Sequence, residues 1–231
     1  CVELREPAEY LADESYAALL HQEVSALADA KNGLTELQRA LEVLGQYAPH
    51  KGSLFAQRAR LKESDLLDRE ARRAVLEKAA AINVHARTVG QLSAQEARLH
   101  ADQQALAPWS VYDVPLEVKG TAQTSVLLGT VPSTADFHAL AGAAEAAGQA
   151  SVRELSSDRE QKYLEILVHN GCRQEVLDAL RAFGFSFAQL KDLTGTVKEN
   201  IQALDRELSG IQSRREKEIE AIRKMGGCLD E

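Results

Sequence analysis

The stretch SVLLGTVP, from Ser125 to Pro132, decides how the rest of this sequence is interpreted. It is a short apolar run that contains one glycine, Gly129, and ends at a proline; residues 133–147 after it have a helical pattern. A strand, a glycine and a helix in this order can begin a nucleotide-binding site. Either Gly129 belongs to a phosphate-binding loop, or it is part of a sheet.

Gly129 lacks the surroundings of a phosphate-binding loop. A dinucleotide loop needs the pattern G-x-G-x-x-G and a P-loop needs G-x-x-x-x-G-K-[ST]. Gly129 is followed by Thr130, Val131 and Pro132, and no lysine comes next. We therefore expect Gly129 to be structural, either because a neighbouring helix approaches a central strand there or because it marks a β-bulge.

The residues around Gly129 alternate between strand and helix patterns. Four short apolar runs predict strands, at residues 124–131, 151–155, 162–169 and 185–190. The helix after the first run is predicted to begin at an N-cap, Ser133, and to end at Gly148. The helix after the third is predicted to begin at Asn170 and to end at Gly184. This order is the split βαβ of a ferredoxin-like fold.

The polarity of the predicted strands agrees with that topology. It puts the first and third strands at the centre of the sheet, and these are the two most apolar runs. The second run carries Arg153 and Glu154, as an edge strand does.

Three long helices are predicted outside this region, at residues 13–46, 62–106 and 193–225. Pro108 should end the second helix, and Gly226 and Gly227 the third. Each helix has an apolar stripe that predicts packing against another helix. In the first, the seam is predicted at Leu20, Leu27, Leu34 and Leu41, with Val24, Leu37 and Leu44 beside it.

The predicted fold class is therefore α+β: a long antiparallel helical coiled coil that carries a ferredoxin-like βαββαβ lobe at its tip, elongated overall. The direction of the first helix stays open, because the connection after it could span about 45 Å if extended.

Other candidate sites have simpler structural interpretations. His169 and Cys172 have a spacing that could hold a metal, but no second pair of ligands lies at finger-like distance. We expect a strand-end histidine and a buried helix cysteine, and Cys172 has no paired histidine for nucleophilic chemistry. Three histidines on predicted helices are expected to be partly exposed packing residues: His21, His85 and His100.

Two charged runs are predicted to be solvated faces. Residues 65–73 mix acids and bases at helical spacing, and acidic residues intersperse the basic run at 212–218. No catalytic, cofactor-binding or metal-ligating residue is predicted, and no cofactor.

Composition narrows the class of protein further. The net charge is −8, which argues against a nucleic-acid partner. Three cysteines are too few and too scattered for a disulfide framework, which favours a reducing compartment. The sequence begins at Cys1 and ends in MGGCLDE, which we interpret as a fragment of a longer protein.

Several stretches resemble one known family. They are CVELREP, KGSLFAQR, PWSVYDVPLE followed by GTAQTSVLLGTVP, and YLEILVHNGC with ALRAFGFSF. Together they resemble the cytoplasmic N-terminal region of subunit I, the bacterial and archaeal counterpart of the a subunit of rotary V-type ATPases. The resemblance spans nearly all of the chain.

The resemblance implies a stator. In that family a proximal and a distal α/β lobe are joined by a long coiled coil, and the arm holds peripheral stalks of E and G subunits. This chain would be a non-catalytic subunit of a proton- or sodium-translocating complex, at the cytoplasmic face of the membrane. A membrane domain outside this sequence would join it to the rotor sector, and neither nucleic acid nor a small-molecule substrate is expected.

The same resemblance divides the chain. Residues 1–12 would be a remnant of the proximal lobe, 13–108 coiled-coil helices with a break near 48–61, 109–191 the distal lobe, 192–227 a return helix, and 228–231 a truncated end. Two alternatives remain open: a coiled-coil scaffold that binds other proteins, and a metabolite-sensing ferredoxin-like module.

Overall fold

The computed structural model describes the backbone of residues 14–49, 68–190 and 193–227, and the side chains from Leu27 onward. These residues form an α+β structure with five α-helices and a four-stranded antiparallel sheet. In chain order the elements are α1 (Glu14–Tyr47), α2 (Arg69–Leu106), β1 (Thr124–Pro132), α3 (Phe137–Ala147), β2 (Ala150–Ser157), β3 (Gln161–His169), α4 (Arg173–Arg181), β4 (Ser186–Phe187) and α5 (Val197–Gly227).

The chain divides into two compact units. One, the sheet unit, is residues 94–212; the other, the helical unit, is residues 1–93 with 213–231. Both α2 and α5 contribute to each unit.

The sheet has the strand order β2-β3-β1-β4. The predicted succession of strand, helix, strand, strand, helix, strand is confirmed, and so is the central position of β1 and β3 with β2 at an edge. Gly129 of β1 lies opposite Leu164 on β3 and opposite Phe187 on β4.

One face of the sheet packs against α3 and α4. Leu164, Ile166 and Val168 alternate along β3, and all three are completely buried. Alternation places every second side chain on the same face, so one face of β3 is fully covered. The cluster also contains residues of β1, α3 and α4: Leu127, Val131, Leu140, Ala144, Val176, Leu177 and Leu180.

A second cluster covers the opposite face of the sheet. Trp109, Tyr112 and Leu116 are almost fully buried there. The rings of Trp109 and Tyr163 meet edge to face, with centroids 5.2 Å apart. Pro108 lies in a 3₁₀ turn directly after the last residue of α2, as predicted. This segment, between α2 and β1, therefore closes the second face.

The core of the helical unit is a single stripe. Its buried cluster is Ala40, Leu44, Ala79, Ile82, Val89 and Ile222, and Leu92 is buried as well. The predicted leucine seam of α1 is wrong at Leu27, Leu34 and Leu41, which are 57%, 57% and 63% exposed. It is confirmed beside that line, where Leu44 is buried and Leu37 packs against the same cluster. The side chains of Leu20 and Val24 lie outside the described residues. The contact line instead alternates leucines with small residues, since Gly33 lies beside Leu76 and Ala40 is buried. Small residues let two helix backbones approach each other closely, which an all-leucine line does not.

Contacts between helices give their directions. Gly33 of α1 lies against Leu76 of α2, and the Asn83 side chain of α2 donates to the backbone oxygen of Glu36 at 2.9 Å. Residues 33–36 of α1 therefore lie beside residues 76–83 of α2. In the sheet unit, α2 and α5 run in opposite directions.

That opposite direction follows from two side-chain hydrogen bonds. Gln212 donates to Glu96 at 3.0 Å, and Gln103 donates to Asp205 at 2.6 Å. Higher residue numbers on α2 therefore lie beside lower residue numbers on α5, so the two helices are antiparallel there.

The prediction that α2 begins near residue 62 is wrong, because the helix begins at Arg69. Residues 62–67 themselves lie outside the described residues. The Asp68 carboxylate accepts the backbone N–H groups of Glu70 and Ala71, at 2.8 and 3.2 Å. Asp68 therefore caps the helix and does not continue it.

The predicted start of α5 at residue 193 is also wrong, because the helix begins at Val197. Gly195 has a φ of +73°, which no helix tolerates. Thr196 and Glu199 then form a capping box, in which each side chain accepts the other residue's backbone N–H.

The predicted end of α5 at Gly226 and Gly227 is corrected as well, because both belong to the helix. A Cβ at Gly226 would lie 2.6 Å from the Cβ of Ala48. The glycine lets α5 approach the end of α1 and does not stop the helix.

The two caps predicted in the sheet unit differ from those observed. Asp136, not Ser133, caps α3, and its carboxylate accepts from His138 and Ala139. The Ser133 hydroxyl donates instead to the Arg159 backbone oxygen at 2.8 Å. Ser133 therefore bonds to a turn that is distant in sequence and does not cap α3.

Asn170 does not cap α4. Its side chain accepts from the Ser125 hydroxyl at 2.6 Å and donates to the Ala122 backbone oxygen at 3.0 Å. Gly148 and Gly184 follow α3 and α4 as predicted, and Gly184 has a φ of +80°. The predicted fourth strand is shortened, since β4 ends at Phe187.

Candidate functional site

Gly129 lies in an unbroken ladder between β1 and β3, so it marks no bulge. A Cβ at Gly129 would lie 2.3 Å from the Phe185 ring and 2.5 Å from the Ser186 backbone oxygen. The structural role expected for Gly129 holds, but the predicted neighbour was a helix. The observed neighbours are an aromatic ring and strand β4.

His169 and Cys172 are brought together by a turn. The Cys172 thiol donates to the His169 backbone oxygen at 3.4 Å, and the His169 ring accepts from Gly171 at 3.1 Å. His169 ends β3 as expected, whereas Cys172 is half-buried in the turn before α4 and not buried in the helix. Among the described residues, no group of three or more His, Cys, Asp or Glu side chains could hold a metal ion.

The predicted helix histidines have different surroundings. His85 of α2 lies 2.5 Å from the Glu218 carboxylate of α5 within the helical unit, and both side chains are about one-third exposed. His100 is exposed, and the side chain of His21 lies outside the described residues. The predicted packing role is met by His85.

Residues of the two charged runs form ion pairs within one helix and between helices. Arg73 pairs with Glu77 one turn later at 2.9 Å, both largely exposed, and residues 65–67 lie outside the described residues. In the run at 212–218, Glu216 lies 2.8 Å from Arg223 and Glu218 meets His85. The second run is therefore not purely a solvated face.

The titratable groups with shifted pKa values belong to turns and to the core. Burial raises the pKa of Tyr163 to about 12, with help from its hydrogen bond to Asp158. The same hydrogen bond, with two backbone N–H groups, lowers the pKa of Asp158. Burial raises the pKa of Tyr112, and the hydrogen bonds from Thr196 lower that of Glu199.

A cavity of about 490 Å³ lies at the outer edge of β1 in the sheet unit. We call it the β1-edge groove; its lining includes Val118, Lys119, Val126, Leu128, Arg173 and Phe187. It lies where a full-length fourth strand would have continued, because β4 pairs with β1 only at Gly129 and Thr130.

Two backbone hydrogen bonds bound the groove along β1. The Val126 N–H donates to the Lys119 oxygen, and the Ala188 N–H donates to the Leu128 oxygen, each at 2.9 Å. Among the described residues, no other backbone hydrogen bond reaches this edge between these two. The edge of a central strand is therefore open over a short length.

A tight turn holds Lys119 at the groove. Gly120 has a φ of +132°, and a Cβ there would lie 2.1 Å from the Thr124 oxygen, so only glycine fits. The Thr121 hydroxyl accepts the backbone N–H groups of Gln123 and Thr124. The chain thus folds back and lays Lys119 against β1.

The groove combines an apolar floor with two cations. Val118 and Phe187 are 43% and 47% exposed at its rim. Lys119 and Arg173 are exposed, and neither forms an ion pair with another described residue. The one lining carboxylate, Glu117, already accepts the Gly195 N–H at 2.8 Å.

This groove is not among the sites predicted from the sequence. One residue in the sequence could have predicted part of it: Gly120, the glycine before β1, indicates a turn back onto the strand. The open edge itself depends on where β4 stops, and alternation over residues 185–190 conceals that point.

Comparison with solved structures finds a similarity to a known domain. The chain is similar to the crystal structure of the cytoplasmic N-terminal domain of subunit I, homolog of subunit a, of V-ATPase. The sequences are 13% identical, the TM-score is 0.45, and the match covers 87% of this chain and 69% of that chain. No protein-family model matches the sequence, and no curated protein matches it. None of the described helices is both long and apolar enough to span a bilayer.

Proposed function

We propose that this chain is the cytoplasmic part of a non-catalytic stator arm in a rotary V-type ATPase, of the subunit I class. The observation that carries the proposal is where the resembling stretches lie. PWSVYDVPLE supplies Trp109, Tyr112 and Leu116, and GTAQTSVLLGTVP supplies Val126 and Leu128, all of one cluster. These two stretches of the resemblance therefore contribute to the core of the sheet unit and are not scattered surface positions.

The described helices fit a mechanical role. A stator must resist the torque of rotary catalysis, so it needs stiff elements. Helix α2 has 38 residues without a break, which corresponds to about 57 Å at 1.5 Å per residue. Hydrogen bonds from Gln103 and Gln212 tie α2 to α5 in the sheet unit.

The finer architecture is part of the proposal. We assign residues 109–191 to a distal lobe of ferredoxin-like topology, which the strand order β2-β3-β1-β4 supports. Residues 13–108 and 192–227 are its coiled-coil helices, while the segments at 1–12 and 228–231 lie outside the described residues. The lobe anchors a stalk of E and G subunits, and a membrane domain beyond this sequence connects to the rotor at the cytoplasmic face.

Purification of the full-length gene product from native membranes tests this function. A stator is expected to arrive with the catalytic and stalk subunits of the ATPase, at constant stoichiometry. Calorimetry with this chain and an E–G heterodimer, at low salt, should give saturable heat. Arrival without any ATPase subunit, together with no heat at high concentration, would contradict the proposal.

One observation favours a second candidate, a coiled-coil scaffold. Leu27, Leu34 and Leu41 form an exposed line at seven-residue spacing on α1, the pattern that packs against a partner helix. A scaffold is expected to purify with other proteins and without ATPase subunits. The same purification therefore separates the two functions.

A further inference from the structure

We propose that the outer edge of β2 pairs with the same edge of a second copy of this chain, in one antiparallel register centred on Val152. The sheets of the two copies would then join into one continuous sheet. This inference does not rest on the stator function, because it uses residues of the sheet unit alone. It follows from the backbone groups, the charges and the apolar side chains at this edge.

Strand β2 lies at the end of the sheet, with β3 on one side. Among the described residues, no backbone hydrogen bond reaches its other side. Ser151 and Arg153 are exposed, and their neighbours in the stretch 150–154 are half-buried. The register with β3 shifts at Leu155, where the regular stretch ends. Residues 150–154 therefore offer a short, regular and accessible edge.

The backbone groups of β2 alternate between its two sides. The His169 N–H donates to the Gln149 oxygen at 2.9 Å, so position 149 faces β3. In an antiparallel ladder both backbone groups of a residue point to the same neighbour, and successive residues point to opposite sides. Three residues therefore direct their N–H and C=O groups away from the sheet: Ala150, Val152 and Glu154.

These three residues are complementary to themselves. When the Val152 residues of two copies lie opposite each other, Ala150 of each copy lies opposite Glu154 of the other. Each of these pairs can exchange two backbone hydrogen bonds, so every outward backbone group of the stretch finds a partner. Ser151 then lies opposite Arg153, and no two like charges are directly opposed.

The neighbouring registers are less favourable. Residues directly opposite each other share a face of the sheet, and a two-fold axis keeps each face on its own side. The axis therefore passes beside one residue that faces its own copy. Centring on Arg153 would oppose two guanidinium groups, and centring on Glu154 two carboxylates, which destabilises the pairing. Centring on Ser151 would place Glu154 opposite position 148, outside β2.

The side chains on both faces of β2 suit this pairing. Ala150 and Val152 lie at the margin of the cluster beneath α3 and α4, so a second Val152 would extend that cluster, and β-branched cross-strand pairs are favourable. On the other face, the Arg153 guanidinium lies 2.6 Å from the Glu165 carboxylate of β3. Charged side chains commonly protect an edge strand from pairing, but this charge is already neutralised.

Sedimentation velocity of the full chain, from micromolar to millimolar concentration, tests the inference. We expect a reversible equilibrium between monomer and dimer. Val152→Pro removes an outward N–H from each copy and should abolish the dimer. An edge position whose N–H faces outward is one where a sheet tolerates proline, and circular dichroism with Trp109 emission checks that the variant folds.

Substitutions of serine give a matched comparison and a test that does not depend on proline. Ser151→Lys places an ammonium opposite Arg153 of the other copy, and should weaken the dimer about fivefold. Ser151→Asp places a carboxylate there and should strengthen the dimer by about the same factor. Ser157→Lys changes an exposed serine of the same strand outside the paired stretch, and should leave the dimer unchanged.

Amide hydrogen exchange locates the interface on β2. The Val152 N–H faces outward, so its protection should increase with protein concentration. The Arg153 N–H faces β3, so its protection should be the same at every concentration. The two adjacent amides therefore report the outer and the inner edge of one strand.

Other outcomes overturn the proposal. These are a monomer at every concentration, a dimer that folded Val152→Pro retains, or equal weakening by Ser151→Lys and Ser157→Lys. A dimer that Leu34→Lys removes and Ser151→Lys leaves intact would assign the contact to the exposed leucines of α1. Protection of the Val152 amide that requires an added E–G heterodimer would assign the edge to a strand of another protein. Each of these can occur while the stator purification succeeds, so the two proposals fail separately.

Discussion

The sheet unit and the helical unit bury their apolar residues in different ways. The sheet unit has a cluster on each face of one sheet, and its central strand places Leu164, Ile166 and Val168 completely out of contact with solvent. In the helical unit, Ile222 alone among the described side chains is as well shielded. One stripe of contacts holds that unit, and its leucines range from buried Leu44 to Leu41, which is mostly exposed.

The difference teaches that residue type alone does not tell how much a side chain contributes to the stability of this chain. The contribution of a leucine on β3 or on α1 to the free energy of unfolding depends on the face on which it lies. The comparison also predicts which substitutions should matter most.

The largest effect is expected at the centre of the sheet. Leu164→Ala removes a completely buried side chain between the two helices and β1, and should lower the free energy of unfolding by about 3–4 kcal/mol. Leu167→Ala is the matched control on the same strand, because Leu167 is 46% exposed; its cost should be about 0.5 kcal/mol or less. Urea denaturation measures both, and equal costs would contradict the assigned faces.

The helical unit offers a matched pair on one helix. Leu44→Ala should cost about 2–3 kcal/mol, since the side chain is buried. Leu41→Ala should change stability by no more than about 0.5 kcal/mol, because 63% of Leu41 is exposed. Far-ultraviolet circular dichroism during urea unfolding follows the helices. A larger cost for Leu41→Ala would restore the leucine line as the packed seam.

Gly129→Ala should destabilise the sheet unit by about 1–3 kcal/mol, because the new methyl group would overlap the Phe185 ring and the Ser186 oxygen. The control substitution, Gly142→Ala, should change the stability in the opposite direction. A Cβ at Gly142, inside α3, would meet nothing within 4 Å, so Gly142→Ala should stabilise by up to about 1 kcal/mol. Thermal unfolding of both variants checks the pair, and a neutral Gly129→Ala would show that Phe185 moves freely.

The cap of α5 should contribute less. Thr196→Ala removes the hydroxyl that accepts the Glu199 N–H at 3.2 Å, and should cost about 1 kcal/mol. Thr194→Ala, two residues earlier, is the control, since only its backbone oxygen is used, by Asn200. Equal losses in the two variants would argue against the capping box.

The smallest effect is a change in acid stability at the β2–β3 turn. The pKa of Asp158 is lowered in the folded state from an ordinary value of 3.8, so its stabilisation is complete above that value and is lost as the pH falls through the lower, folded pKa. Asp158→Asn should flatten this part of the stability profile. Urea midpoints measured from neutral to acid pH test it, and an unchanged slope would show that Tyr163 and the turn amides do not favour the carboxylate.

Much of the sheet unit could be predicted because its signals are local. Strand β1 is covered on one face by helices and on the other by the Trp109 cluster, and β3 is completely buried on its helix face, so both are apolar runs. Gly148 directly follows the last residue of α3, and Gly184 closes the turn after α4 with a positive φ, so both mark helix ends.

The errors share a cause, which is dependence on a distant partner. Ser133 and Asp136 are both good capping residues, and the Arg159 oxygen decides between them. On α1, seven-residue spacing identifies a line of leucines, but only the close approach of Leu76 at Gly33 shows that another line is packed. The β1-edge groove exists because the turn at Gly120 and the end of β4 leave part of one edge unpaired, which no local pattern encodes.

Trp109, the only tryptophan of the chain, sits edge to face against Tyr163 in a cluster confined to the sheet unit. Its emission is therefore a built-in optical reporter for that unit, and it does not respond directly to melting of the helical stripe. Circular dichroism is weighted toward the long helices. Recording both signals during one denaturation would compare loss of the Trp109 cluster with loss of helix without any label.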